Sequence, residues 1–232
     1  MHLVNKEADA DPETIRLSMD TKATVNLGDY SRGGKSRGLE AVAALDHDMR
    51  PKDKLVPGGI LEVVSGRAFL FFSRSNKTSD FMADGLRAWW AHRQQELCHV
   101  KRLVINIDNG PECSAHRSQF LHRMVDFADE SGLTIRLNYY PPYHSKYNPI
   151  EHYWGGLERS WNGYLLADAQ CVMNRAARFL WHGVRTTVKL LGAVYAKGVC
   201  LGTKDKAKVE ARITRSERLP WWDITITPIM VL

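Results

Sequence analysis

VINIDNGPE, residues 104–112, decides how this chain is read. Residues 103–107 have the character of a buried strand. The strand stops at Asp108, and Asn109-Gly110-Pro111 then breaks the backbone. Gly110 is free to take positive φ and Pro111 fixes the exit. Turn chemistry alone explains such a sequence. A second explanation is that a carboxylate at the C-terminal tip of a buried strand is held rigidly at a sheet edge, where ligands are commonly bound.

Working outward, the flanking segments alternate in type. Downstream, Ser114 is placed as the cap of a helix carrying Leu121, Met124, Val125 and Ala128 on one face, with Gly132 as its stop. Ile135, Leu137 and Tyr139 alternate with Arg136 and Asn138, as in a strand. A loop opens at Pro141-Pro142, and a helix begins near Asn148 with the stripe Ile150, Trp154, Leu157 and Trp161. Asp168 is expected to cap one more helix, carrying Val172, Ala176, Phe179 and Leu180. Upstream, residues 15–19 alternate and run into Asp20, and residues 23–27 offer a second strand. Residues 59–72 hold one or two more, punctuated by Gly66, and Thr78 caps a helix reaching about Leu97. Residues 1–14 read as a loose arm, 15–200 as the folded domain and 201–232 as a basic C-terminal segment. Early strands followed by alternating helices and strands imply an α/β domain, a mixed sheet flanked by helices.

Composition narrows the class. With 232 residues, 44% hydrophobic and 25% charged, the chain resembles a globular domain with one sizeable core. Its apolar runs, such as AFLFF at 68–72, are too short to span a bilayer, and the acidic, polar start is no secretory signal. Cys98, Cys113, Cys171 and Cys200 are scattered without a CxxC pair, which argues against a zinc site or disulfide framework and fits a reducing cytosol. The net charge is +6, and residues 189–218 carry eight Lys/Arg against three Asp/Glu. Such a balance suits nucleic acid, and a solvated surface equally well.

Three acids stand at the ends of these elements. Asp20 closes the first strand, Asp108 closes the buried one, and Glu151 lies in the first turn of a helix. Neighbouring strands would set Asp20 beside Asp108, with the helix bringing Glu151 over them. Hard divalent ions such as Mg²⁺ take a few carboxylates with positions left open, and two ions can clamp an in-line phosphoryl displacement. Each acid has a plainer role open to it. Asp20 also suits a hairpin, with Asp46 or Asp48 as its substitute, and Asn148-Pro149-Ile150-Glu151 is close to a capping box. Glu151 shares a helix face with Gly155 and Glu158, Glu158 being either an auxiliary acid or a solvated one.

Two loops are candidates for DNA contact. The Gly-rich stretch at 28–38 carries Arg32, Lys35 and Arg37, and it is neither a Walker A nor a GxGxxG sequence. The loop at 139–151 carries His144 and Lys146 ahead of a helix N-terminus. Its tyrosines 139, 140, 143 and 147 offer either faces for unpaired bases or simple packing.

Four blocks now carry a resemblance: SMDTKATVNLGDYSRGGKSRG at 18–38, TSDFMADGLRAWW at 78–90, LVINIDNGPE at 103–112 and YYPPYHSKYNPIEHYWGGLERSWNG at 139–163. From about residue 15 to about 200 the chain resembles the catalytic region of DDE-type insertion-sequence transposases, bacterial relatives of the mariner group with an RNase H-like core. That resemblance implies an RNase H-like mixed sheet flanked by helices, with Asp20, Asp108 and Glu151 as the triad. It implies Mg²⁺ or Mn²⁺, two ions, for cleavage and strand transfer at transposon ends. DNA, both transposon ends and target, is the implied partner, held by an active homodimer in the bacterial cytoplasm at the nucleoid. His144, Lys146, Arg32, Lys35 and Arg37 would position it. Fewer residues precede the first strand than the family's end-recognising helix-turn-helix needs, and LPWWDITITPIMVL at 219–232 looks unlike the family ending. Both features lead to the expectation of a truncated copy. An inactive DNA-binding remnant and an RNase H-like structure-selective nuclease are the alternatives; a divalent-ion-dependent nicking assay separates the first from an active transposase, and hydrolysis without strand transfer marks the second.

Overall fold

The computed structural model describes residues 1–35, 37, 39, 40, 42–46, 51–141, 144 and 147–229. The chain order is α1 (His2–Ala10), β1 (Thr14–Thr21), β2 (Val25–Leu27), β3 (Asp53–Glu62), β4 (Ala68–Ser73), α2 (Ser79–Arg93), β5 (Arg102–Ile107), α3 (Ser118–Ser131) and β6 (Thr134–Tyr139). It continues with α4 (Pro149–Trp161), α5 (Ala169–Arg178), β7 (Leu180–Trp181), β8 (Val184–Arg185), β9 (Thr187–Leu190), α6 (Thr203–Glu210), β10 (Ile213–Arg215) and β11 (Asp223–Ile226).

Among the described residues the main sheet runs β10-β11-β6-β5-β1-β3-β4-β9, with β2 attached to β3. The pairs β1–β5 and β5–β6 are parallel, whereas β1–β3 and β3–β4 are antiparallel, so the mixed sheet expected from sequence is present. Alternation along the strands divides its faces. Leu17, Met19, Ile105 and Ile107 point into a core closed by α2 and α3, with Phe81, Leu86, Phe120 and Met124. The opposite face buries Leu55, Leu61, Leu70 and Phe72 under α4 and α5, through Ile150, Trp154, Leu157, Trp161 and Val172. The apolar stripe of α4 is therefore buried as its spacing demands.

Capping follows the sequence at two helices. The Thr78 hydroxyl accepts from the Phe81 N–H at 3.2 Å, and the Asp168 carboxylate accepts from the Cys171 N–H at 2.7 Å. Gly132 ends α3 in the left-handed region, at φ 71°. Other expectations are corrected. Ser114 is not a cap: residues after Pro111 turn first, and α3 opens at Ser118 behind Arg117, which makes no side-chain cap. The helix at Asp168 stops at Arg178, and Leu180 enters the β7–β8 hairpin, about half exposed.

The N-terminal residues read as a loose arm form α1. Only Ala8 is buried in that helix, so hydrophobic patterning gave no sign of it. Polar contacts dock it instead: Asn5 Oδ1 accepts from the side-chain amides of Asn106 (3.0 Å) and Asn138 (3.2 Å), and the Asp9 carboxylate accepts from Nε and Nη2 of Arg16. At the other end, β11 pairs antiparallel with β6, which makes the C-terminal segment an integral part of the sheet.

One strand continues where its sequence argues against it. β3 passes through Pro57-Gly58-Gly59, and both glycines are packing slots. A Cβ on Gly58 would sit 2.3 Å from the Phe71 ring, and one on Gly59 would sit 2.7 Å from Trp154 and 2.9 Å from Ile150. Helix α4 thus crosses the sheet at close range over Gly59. Replacement of Gly59 by Ala favours a strand backbone but overpacks this crossing, at a cost of ~1–3 kcal/mol. The expected result is a melting temperature lowered by about 3–10 °C for a chain of this size, measured by calorimetry.

Candidate active site

Strand register brings the first two acids together. β1 and β5 run parallel with Met19 opposite Ile107, so Asp20 and Asp108, the next residue of each chain segment, emerge side by side at one sheet edge. On its other flank Asp20 pairs with Gly59, the slot beneath α4. The helix is fastened there by Ser18. Its hydroxyl accepts from the Ile150 N–H at 2.9 Å and donates to the Asn148 side-chain oxygen. That arrangement displaces the expected capping box, because Asn148 makes no side-chain cap. Glu151 is left with its carboxylate over Asp20 and Asp108.

The electrostatics register this crowding. Burial, then the charges of Asp108 and Glu151, push the Asp20 carboxyl from 3.8 up to about 8. Burial and Asp108 also raise Glu151, against the opposing pull of Lys22 and a hydrogen bond shared with Asp20. More negative charge has been gathered here than the site keeps ionised at neutral pH. Among the described residues, no group of three or more His, Cys, Asp or Glu side chains is arranged to hold a metal ion. The donor set itself is carboxylate oxygen, the chemistry that hard divalent ions take.

The remaining sequence candidates divide. Glu158 is ion-paired: it meets Lys22 at 2.8 Å and also Arg32. Burial would push its carboxyl up, yet those two cations hold it below the usual range. Arg32 also lies over the Trp161 ring at 5.3 Å, so its guanidinium is engaged within the chain. Lys35, Arg37 and His144 are exposed, His144 stacking on Tyr147 at 5.8 Å. Tyr139 and Tyr140 are buried packing residues, whereas Tyr147 is 61% exposed. Asp46 is exposed, and Lys146, Tyr143 and Asp48 lie outside the described residues. Gly155 faces open space beside Glu151, its nearest neighbour being Arg159 at 3.8 Å from where a Cβ would stand.

Residues that sequence reasoning passed over complete the surroundings. The buried Cys113 thiol lies 3.5 Å from Asp108 Oδ1, and burial followed by the Asp108 and Glu112 charges pushes it well up, which keeps it a neutral donor. Lys77, from the β4–α2 junction, pairs with Glu112 at 3.0 Å. No local pattern couples Lys77 to Glu112, and only the fold does so.

The chain matches the family model described as Rhodopirellula transposase DDE domain over residues 2–228. It belongs to the DDE transposases. The match takes in the C-terminal segment that had looked foreign to the family, in agreement with the place of β11 in the sheet. No curated protein sequence matches the chain. Among solved structures, the Mos1 mariner paired end complex with Mn is similar with a TM-score of 0.50 at 8% identity, over 75% of this chain and 50% of that one. The Mos1 transposase paired-end complex with left transposon end gives 0.49 at 7% identity, over 74% and 48%. The chain thus spans about half the length of the Mos1 chains it matches. The DDE transposase domain has an RNase H-like fold.

The crowding of acids is open to direct test. Asp20, raised to about 8, keeps in the folded state a proton that the unfolded chain, near 3.8, has released. Stability from this group therefore falls as pH rises between those values. In metal-free buffer Asp20→Asn should melt above the wild type at pH 8, with the gain shrinking toward pH 5. An Asn variant that melts below wild type at pH 8 would refute the repulsion.

Proposed function

We propose that Asp20, Asp108 and Glu151 are the DDE triad of this domain and that they hold Mg²⁺ or Mn²⁺, two ions in the active state. The reaction is hydrolysis of a phosphodiester at transposon ends followed by attack of the freed 3′-hydroxyl on target DNA. One observation carries this reading. Acids from the ends of two parallel strands and from the first turn of a packed helix meet so closely that two of them help push the third to about 8.

Each acid has a distinct task. Asp20 and Asp108 are fixed by strand register and set the rigid floor of the site. Glu151 stands on the exposed side of α4 and closes it from above, with the gap at Gly155 leaving an approach for a DNA backbone. A divalent ion, when bound, supplies the positive charge that these acids lack and favours development of charge on the attacking and leaving oxygens. The Cys113 thiol, neutral and beside Asp108, steadies that carboxylate without adding charge. Lys35, Arg37, His144 and Lys146 are assigned to the DNA backbone, whereas Arg32 supports the site through Glu158. The matched Mos1 complex, with Mn and paired ends in its description, supports both metal and DNA as partners, and two ends call for a homodimer. Among the described residues no helix is long and apolar enough to cross a membrane.

The test uses supercoiled plasmid and the purified chain. Nicking and joining should require Mg²⁺ or Mn²⁺, and the metal alone should raise the melting temperature by mass action. Asp108→Asn should abolish both effects. Glu151→Gln should fold with a melting temperature within a few degrees of wild type, since its side chain caps nothing, yet neither nick nor join. Activity retained in Glu151→Gln would remove the third member of the triad.

A further inference from the structure

Glu112 ends the stretch VINIDNGPE at 104–112, and only one of its two carboxylate oxygens is taken up by an ion pair. The residue is gripped twice by the start of α2: its backbone carbonyl accepts from the Ser79 hydroxyl at 2.6 Å, and its Oε1 holds Lys77 Nζ at 3.0 Å. Its other oxygen faces Asp108. A Cβ on Gly110 would stand 3.2 Å from Glu112 Oε2, 3.2 Å from Asp108 Oδ1 and 3.4 Å from Asp108 Oδ2. Two carboxylates four residues apart therefore line one small space, and it stays open because Gly110 has no side chain.

The backbone does not explain that glycine. Positive φ was expected at Gly110, yet it is not among the positive-φ glycines. The left-handed region is not what calls for glycine there; a Cβ would instead press on the two carboxylates. Lys77 serves this neighbourhood twice: besides pairing with Glu112, its charge reaches Asp20, as that of Lys22 reaches Glu151. Lys77 also has somewhere to go, since it borders a cavity of about 200 Å³ shared with Thr78, Arg117 and Lys197.

We propose that Glu112 is a fourth carboxylate of the metal centre and that Lys77 is its resident counter-ion, standing in for a divalent cation until one enters. The proposal rests on the metal-dependent reading above. It makes Lys77 a positioning residue with an unusual signature. Loss of the lysine should tighten metal binding, while loss of the carboxylate should weaken it. A pair that merely braced the loop would shift binding in one direction for both losses, or not at all.

Mn²⁺ titration of the full chain without DNA, with free ion followed by electron paramagnetic resonance, distinguishes these. Glu112→Gln should raise the half-saturating concentration by about 10-fold or more, as loss of a supporting carboxylate does. Gly110→Ala, which fills the space, should raise it as well. Lys77→Met should lower it by about 5-fold or more, the effect of removing one nearby positive charge. Asp108→Asn should bind no Mn²⁺. Wild-type titrations for Glu112→Gln and Lys77→Met, beside an inert Asp108→Asn, would overturn the proposal and leave the triad standing. Wild-type binding by Asp108→Asn would instead remove the triad assignment and this proposal with it. If Glu112→Gln does not fold, Lys77→Met decides alone, and unchanged or weaker binding overturns the idea.

Discussion

The Ser18 hydroxyl is the contact on which the site depends. It sits on β1 two residues before Asp20 and serves the first turn of α4 as both acceptor and donor. A helix N-terminus leaves backbone N–H groups without partners, and their capping residue is ordinarily local. Here the sheet itself caps the helix through a side chain 132 residues away from the N–H it satisfies. Helix position, and with it the reach of Glu151, is thereby tied to the strand that presents Asp20. Gly59 allows the approach and Ser18 sets its register. Loss of either would move one acid relative to the others.

This rigidity works against the charges it assembles. Acids held together in a poorly solvated place raise one another's proton affinity, so the domain carries a local electrostatic penalty there. Stability comes from elsewhere: the apolar layers on both sheet faces, and carboxylates that are well partnered at a distance from the site. Arg93 with Glu62, buried at 2.7 Å, and Arg123 with Asp80, at 2.7 Å, are of that kind. Perturbed carboxyls gather where the fold is least favourable to itself, which is where candidate functional sites are found.

The parts legible in the sequence were those governed by local rules. Strand alternation at β1, β5 and β6, the stripe of α4 and the caps at Thr78 and Asp168 all lie within a few residues of their causes. Three acids at element ends were legible for the same reason. What escaped depended on distant partners. Helix α1 is docked by amides and an ion pair, β11 adds to an edge of the sheet that the sequence leaves undefined, and Asn148 gives its oxygen to Ser18 rather than to its own helix. The ion pair of Arg32 with Glu158 joins two elements that no local pattern connects. Glu112 went unremarked because its significance lies in Lys77 and in a vacant Cβ, neither of which a linear motif displays.

Helix α1 has one more consequence, which concerns cooperativity. The rest of the sheet is held by apolar layers that must open together, but α1 contributes a single buried alanine and otherwise rests on Asn5 and Asp9. Contacts of that kind weaken independently of the core, so α1 forms a separate unit of opening with its own, smaller free energy. When it lifts, Asn106 and Asn138 lose their shared acceptor, and the polar row that continues Ser18 across β5 and β6 meets solvent. Hydration then reaches that face of the sheet, next to the acidic edge, without any unfolding of the strands that carry Asp20 and Asp108. Local melting and global melting are therefore distinct events in this domain, and the first begins with an amide ladder instead of a hydrophobic one.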